Sequence, residues 1–573
     1  MFKLVKTKFA LAVYKNILCC FMLLAIKFTP AFAQHTYIPY GSLSNHILDR
    51  LEIKSGELPG AFYHSTTKSY RRKAIAEYID SFQVNKISLS DRDYFNMDYL
   101  MNDNFEWSKN ETSASKRILL KHFYKRKAAM YNVQENDFNL VVNPVLYYQV
   151  SSDKWNGNNA LINNRGIEIR GNITNRIGFY TQISDEILKP NSWVGDYFNR
   201  DTTLLYVNFY KNYSTYFGYF LSNAYVTASV NKYMDFQFGH FKNFIGDGFR
   251  TFILSDQHPE YLSLRLNTRI WKMNYTNIWS ELRGFPPGGH WDRNFQQRHY
   301  MATHHLSLNV SKNFNIGLFE TILFQRDSGY TNTGFDLNYL NPIIFYKSVE
   351  NGLNSTDKAI IGINYKYNFL KHFSLYGQIV FSEFILKNLI EANGWWGNKW
   401  ATQIGLKYID AFGLNNFDLQ GELNICRPFM YTSFNAQQTN SNFKQFMAHP
   451  LGANFYETVG IIRYQPSKRI TLTCKLILAK YGNDTNGSNW GKDIRLSYYS
   501  KTSADYGNFI GQGVVTNLVF GELLATYMPK HNLFFDFRFG YRKTNSVLPV
   551  FNSNSSYFTL GIRLNITQRF YDF

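Results

Sequence analysis

The chain has 573 residues, and its 61 Lys and Arg against 42 Asp and Glu give a formal charge of +19. Four cysteines are too few for a disulfide scaffold, and past the N-terminal stretch no segment reaches the ~18 consecutive apolar residues of a spanning helix. Aromatic residues still make up 18% of the chain, at a mean hydropathy of −0.32, which suits a barrel with aromatic girdles outside and a polar face inside.

Lys3, Lys6, Lys8 and Lys15 flank an apolar run from Ile17 to Ile26, and Ala31-Phe32-Ala33 stands before Gln34. This is the pattern of a cleaved secretory signal peptide, residues 1–33. Lys27 interrupts the run, which is too short to cross hydrocarbon. Cys19 and Cys20 leave with it, so Cys426 and Cys474 remain and allow one optional bridge that spacing alone does not establish. Neither metal nor cofactor is indicated. Removing five lysines leaves a charge of +14. An exported basic chain meets lipopolysaccharide and acidic glycans rather than nucleic acid.

Residues 34–135 have helix-like spacing. Leu43, Ile47, Leu48 and Leu51 share one face, a second helix is predicted from Tyr70 to Phe82, and a third from Tyr94 to Trp107. The stretch reads as a small helical plug on the periplasmic side. From Asn139 the period becomes two. Phe417, Leu419, Gly421, Leu423 and Ile425 interleave with Asp418, Gln420, Glu422 and Asn424, and Phe558, Leu560, Ile562 and Leu564 with Thr559, Gly561 and Arg563. A soluble sandwich alternates as well, but Asp418, Glu422, Lys475, Asp536, Arg538 and Arg563 on one face suit a watery lumen, and Phe, Leu and Ile on the other suit lipid. A spanning sheet must close, since open edges leave backbone groups unsatisfied in lipid. Residues 136–573, at roughly 22 to 26 per strand with its connection, give about 17 to 20 strands, and eighteen antiparallel strands are predicted. Lys189 to Thr203, Leu282 to Tyr300, Asn435 to Glu457 and Tyr481 to Asp493 are too long for hairpin turns and read as extracellular. The aromatic ending at Phe570, Tyr571 and Phe573 is similar to the signal by which the barrel-assembly machinery recognises outer-membrane proteins.

Catalytic constellations are weak, and no catalytic residue is assigned. His304 and His305 are strand neighbours pointing to opposite faces, one at the lipid rim and one in the lumen. There is no Gly-x-Ser-x-Gly elbow and no His-Glu-x-x-His pair. Asp247, between Gly246 and Gly248, is a ligand or base candidate, though Asp between glycines is usually a tight turn. The aromatic loop is more informative. Trp395, Trp396 and Trp400 lie within Asn393-Gly394-Trp395-Trp396-Gly397-Asn398-Lys399-Trp400, and Trp291 lies in another long loop. Indole faces pack on sugar rings while Asn and Lys bond the hydroxyls, so these four are candidate glycan-binding residues. The plainer alternative for any one of them is an interfacial girdle.

Several stretches carry a likeness: Asn143-Pro144-Val145, Arg165-Gly166-Ile167-Glu168-Ile169-Arg170-Gly171, and Phe238-Gly239-His240-Phe241 running on to Gly246-Asp247-Gly248-Phe249-Arg250. Asn267-Thr268-Arg269-Ile270-Trp271-Lys272, His305-Leu306-Ser307-Leu308-Asn309-Val310 and Leu340-Asn341-Pro342-Ile343-Ile344-Phe345-Tyr346-Lys347-Ser348-Val349-Glu350 follow. In order and spacing these resemble the Wzi-type capsule-assembly outer-membrane proteins, in the Bacteroidetes branch that includes a gliding-motility-associated protein. The resemblance covers nearly the whole mature chain. It implies an 18-stranded barrel, a helical bundle in the periplasmic end, long loops over the outer mouth, and a non-enzymatic, lectin-like role holding capsular or other surface polysaccharide, with support of gliding or adhesion as a further expectation. It supplies no binding residue. The alternative reading is a porin-like barrel that passes solutes.

Overall fold

The computed structural model describes residues 36–82, 87–108, 113–115, 122–174, 176–284, 298–325, 334–346, 357–436, 438–485 and 487–572. Eighteen antiparallel strands form one closed barrel. They are β1 Phe138–Trp155, β2 Asn158–Ile173, β3 Ile177–Lys189, β4 Phe217–Ser229, β5 Met234–Phe241 and β6 Tyr261–Ile270. Next come β7 Met273–Arg283, β8 Arg298–Asn309, β9 Phe314–Phe324, β10 Lys358–Phe369, β11 Phe373–Glu383 and β12 Lys399–Tyr408. The last six are β13 Phe417–Cys426, β14 Phe455–Ser467, β15 Ile470–Asn483, β16 Val514–Lys530, β17 Leu533–Ser546 and β18 Ser553–Leu564. Each pairs with the next, and β18 closes on β1 from Leu146↔Leu564 to Ser151↔Thr559. A short strand, Tyr131–Gln134, pairs with β1 beyond that seam.

Two solvents explain the alternation. Glu422, Lys475 and Arg538 are buried inward, while Leu423, Leu476, Phe537 and Leu560 are exposed outward. Among the described residues no helix is long and apolar enough to span, and the strands do so. Connections at one end are short, such as 271–272, 468–469 and 531–532, and those at the other are long, as 190–216, 242–260, 427–454 and 484–513. Short turns face the periplasm and long loops the exterior. An aromatic girdle marks the inner rim, where Phe373 stacks on Phe369 at 5.2 Å and on Tyr408 at 4.3 Å. The closed barrel with this apolar belt places the chain in the outer membrane.

Three helices fill the short-turn end: α1 Leu43–Ser55, α2 Arg72–Ser81 and α3 Asp91–Asp103. α3 starts before the expected Tyr94 because Ser90 and Asp93 form a reciprocal capping box. α1 ends at Gly56, whose φ of 71° is left-handed. Arg50 of α1 is buried among three carboxylates, Asp93 at 3.2 Å, Asp410 at 2.9 Å and Asp418. Glu52 meets Lys366 of the wall at 2.6 Å, and the Leu58 N–H donates to the Lys312 carbonyl at 2.6 Å. The plug is thus tied to the wall by buried ion pairs as well as by its apolar face.

Two further segments enter the lumen. Connection 242–260 folds inward until its Phe244 carbonyl accepts from Lys68 at 3.1 Å and its Gly246 N–H donates to Thr66 at 2.9 Å. Asp247 is buried 3.3 Å from Lys366 and 3.7 Å from Lys68, and accepts from the Thr66 hydroxyl at 2.9 Å. It is therefore an anchor between loop, plug and wall, more than the tight turn the sequence suggests. The chain after β18 also turns inward. Arg569 pairs with Glu186, Tyr206 donates to the Phe570 carbonyl at 2.6 Å, and Asp572 is buried between Arg250 at 3.1 Å and Lys475 at 2.7 Å. Phe570 and Tyr571 thus lie in the lumen instead of on the lipid face of β18. Phe573 lies outside the described residues.

The outer wall holds a second departure. His305 faces the lumen and bonds Asn364 at 2.8 Å. His304 faces outward, as expected, but it is buried in a polar row with Asn277 and Glu320, the residues paired beside it on β7 and β9. Residues 334–346 lie over that row. The Phe345 N–H donates to Glu320, Trp279 donates to the Tyr339 carbonyl at 2.7 Å, and Leu337 and Ile343 are exposed on the far side. Cys426 is turned inward and Cys474 outward, and both are free, so the optional bridge is absent.

Candidate functional site

The outer mouth is built by three connections that Arg427, one residue past β13, ties together. Its guanidinium donates to the carbonyls of Trp395 at 3.0 Å, Asn398 at 3.2 Å and Asn508 at 3.0 Å. Backbone bonds complete the joint: the Trp396 N–H donates to Asp505 at 2.9 Å and the Gly507 N–H to Asn393 at 3.0 Å. Connections 384–398 and 484–513 therefore form one surface. Within the second, Asp484 accepts the N–H groups of Trp490 at 2.5 Å, Lys492 at 3.2 Å and Asp493 at 2.7 Å, which folds Asn489-Trp490-Gly491 into a tight arch. A carboxylate committed to three amides is a loop staple.

Among the described candidates the structure separates Trp400 from Trp395 and Trp396. Trp395 and Trp396 are adjacent and half-buried, with ring centroids 6.1 Å apart. Trp396 also contacts Phe429 at 5.9 Å and Tyr498 at 5.1 Å. Buried Lys399 places its ammonium 4.7 Å from the Trp396 ring and 4.1 Å from that of Tyr498, and 2.8 Å from Glu383. Trp396 thus cements the loops, while Trp395 packs over Gly397, whose lack of a Cβ makes the approach possible. Trp400 sits on β12 with the parity of outward-facing Ile404 and Leu406, at a girdle position and turned from the loop pair. Trp291 lies outside the described residues.

Beside Trp395 the structure adds rings that the sequence reading passed over. Tyr499, Tyr506 and Phe509 are 79%, 58% and 64% exposed on the same connection. The signal in the sequence is Tyr498-Tyr499 and Tyr506 in a Ser, Asn and Gly stretch without alternation, and the loop runs past the expected end at Asp493 to residue 513. Lys501, 5.7 Å from the Trp396 ring, is paired with Asp505 at 2.8 Å. The surface offers flat faces, amides and cations, the donor set that suits a glycan. Among the described residues no group of three or more His, Cys, Asp or Glu is placed to hold a metal ion.

Fold and site together define a closed, plugged 18-strand outer-membrane barrel with an aromatic outer mouth. No protein-family model and no curated protein matches the sequence. Among solved structures the chain is similar to Wzi of Escherichia coli, described as an outer-membrane protein involved in group 1 capsule assembly and a carbohydrate-binding β-barrel. The TM-score is 0.56 at 10% identity, covering 94% of this chain and 100% of that one. OprD of Pseudomonas aeruginosa follows at a TM-score of 0.41 and 11% identity, covering 76% and 96%. At such identity the likeness to Wzi is one of fold, and that to OprD carries no argument.

Proposed function

We propose that this barrel is a non-enzymatic binding protein that holds or organises acidic surface polysaccharide, capsular polysaccharide foremost, at the outer membrane. The observation that carries the reading is the exposure of Tyr499, Tyr506 and Phe509 on connection 484–513, which Arg427 joins to the connection bearing Trp395. Exposed rings on a basic chain bind an acidic glycan by stacking and by overall charge attraction. The described carbohydrate binding of Wzi, on a similar fold, supports the same reading. A place in the Bacteroidetes branch, and support of gliding motility or adhesion, extend the proposal. So do a signal peptide over 1–33, a plug over 34–135, a barrel over 136–573, insertion by the barrel-assembly machinery, and contact with lipopolysaccharide.

The solute-transport alternative needs a continuous aqueous path. Plug, connection 242–260 and residues 566–572 all cross the lumen, which weighs against it. The test is retention of cell-bound capsular polysaccharide, and binding of that polysaccharide by purified barrel, in a variant carrying Trp395→Ala, Tyr499→Ala, Tyr506→Ala and Phe509→Ala. Binding falls by about tenfold or more, the equivalent of ~1.4 kcal/mol. Unchanged binding in a correctly folded variant removes the outer mouth from the function.

A further inference from the structure

Between plug, wall and C-terminal residues lies a cavity of about 510 Å³, within the ~300 to 1,000 Å³ range of small-molecule sites. Its lining runs from the inner-rim residues Lys468, Arg469 and Asn532 to Tyr206 and Gln257 at the base of the outer connections. Five amide side chains on this lining have a buried polar atom without a hydrogen-bond partner: Asn45 Nδ2, Asn223 Oδ1, Gln237 Oε1, Gln257 Oε1 and Gln568 Nε2. Gln237 is 2% exposed. Buried amide atoms cost free energy when unpaired, and a polar group entering the cavity can supply partners on several sides. They come from α1, β4, β5, the inward connection and the C-terminal tail, so the demand converges from all sides.

Two other features give the ligand its character. Tyr40, stacked on Phe244 at 4.0 Å, and Phe249 bring aromatic rings to the lining. Arg463 of β14 lines the same space, and its one described side-chain hydrogen bond is to Gln420 at 3.3 Å. Among the described residues no carboxylate reaches within the 4 Å of an ion pair with Arg463, whereas Arg50, Arg170 and Arg569 on the same lining are paired. Arg463 lies opposite Asp418 in register without closing an ion pair, and among the described residues Arg469 at the inner rim has none either. Amides on several sides, ring faces and a guanidinium free of an ion pair match a small polyhydroxylated carboxylate: hydroxyls for the amides, a ring face for the aromatics, and a carboxylate for the arginine.

We infer that this lumenal cavity binds a single acidic sugar unit, a uronate, at a site separate from the outer mouth. Anionic character rests on Arg463, and sugar character on the unpaired amides. The site stands whether or not the outer surface binds polymer, because the two share none of the residues used here.

The test is titration calorimetry of the full-length barrel in detergent with D-glucuronate and with D-glucose. Heat-modifiable gel mobility verifies folding of every variant. Saturable glucuronate binding is expected, with glucose weaker by about tenfold or more, since charge-assisted hydrogen bonds run to ~1.5–3 kcal/mol. Arg463→Gln removes that preference, and Gln237→Leu weakens both sugars. Tyr499→Ala and Tyr506→Ala leave the titration unchanged, although they are the changes that impair polymer binding at the mouth. No binding by folded wild-type barrel overturns the inference. So does binding that is indifferent to both Arg463→Gln and Gln237→Leu, and so does equal affinity for glucose, which leaves the guanidinium without a role.

Discussion

On the lipid-facing wall the backbone N–H of Phe345 donates to the carboxylate of Glu320 at 2.6 Å. Neither group is tolerable alone at that depth. A carboxylate facing hydrocarbon and an irregular backbone segment in lipid are each costly, and here each satisfies the other. Residues 334–346 then present Leu337, Leu340 and Ile343 outward in place of the polar row beneath.

Glu320→Ala therefore leaves the Phe345 N–H without an acceptor and loosens the clasp, at a cost of about 1–3 kcal/mol. Glu320→Gln keeps an acceptor and costs less. Limited proteolysis within 334–346 reads the difference, and equal cleavage rates in both variants would show that the bond holds nothing.

Arg50 gives the plug its strongest tie. Arg50→Ala leaves Asp93 and Asp410 to Lys54 alone and Asp418 to His46, three buried carboxylates with fewer partners, so the loss should lie near the lower end of the ~3–5 kcal/mol for a broken buried pair. The barrel itself keeps its strand pairing, so the loss falls on seating of the plug. Planar-bilayer recordings should show steady or flickering current in the variant and closed behaviour in the wild type.

Acid acts on the same tie. Burial would raise the Asp93 carboxyl, but Arg50 and Lys54 outweigh it and hold the group below its ordinary range. Asp103 is likewise buried, and Arg72 with His531 and Arg170 holds it further down. A carboxylate depressed in the folded state stabilises fully above its unfolded pKa, and the stabilisation is lost as pH falls through the folded value. Plug seating should be flat from neutrality to about pH 5 and weaken below about pH 4. Lys54→Met should move the onset of current upward in pH, and an onset that stays put would sink the assignment.

The strands were legible because each lies between lipid and a polar lumen, so Leu423 beside Glu422 or Leu560 beside Thr559 betrays both period and face. The helices were legible from Leu43, Ile47, Leu48 and Leu51 for the same reason of one-sided burial. What escaped is held by partners remote in sequence. Asp572 meets Arg250 322 positions away, and Asp247 meets Lys366 across the lumen, so no local pattern marks either segment as inward. Glu320 and His304 broke the lipid-face rule at residues whose cover, 334–346, carries no strand signal. At the mouth, Trp395 stood out by type, whereas Tyr499 and Phe509 become informative only once their exposure is known.

Arg427 holds three carbonyls from two connections with one planar fork, which a lysine ammonium cannot reproduce. Both Arg427→Lys and Arg427→Ala should loosen connections 384–398 and 484–513 against each other, leaving only their backbone bonds, with urea unfolding of the barrel nearly unchanged. Polysaccharide binding falls with them if the aromatic surface must be rigid. Cysteine pairs placed across the two loops would report the separation, and undiminished cross-linking would count against the joint.

Asp572 tests whether the tail is a fixed part of the lumen. It is fully buried, with Arg250 at 3.1 Å and Lys475 at 2.7 Å. Asp572→Asn leaves the two cations unequal, because Arg250 retains Glu457 at 3.2 Å whereas Lys475 keeps only a longer contact to Glu522, at 3.8 Å. Lys475 is the charge left underpaired, so the loss should lie near the lower end of the ~3–5 kcal/mol for a broken buried pair. Adding Lys475→Met removes the stranded charge, and the double variant should recover part of the stability of the single one, a coupling that a double-mutant cycle in urea measures directly. A tail resting loosely in the lumen would make all three variants neutral.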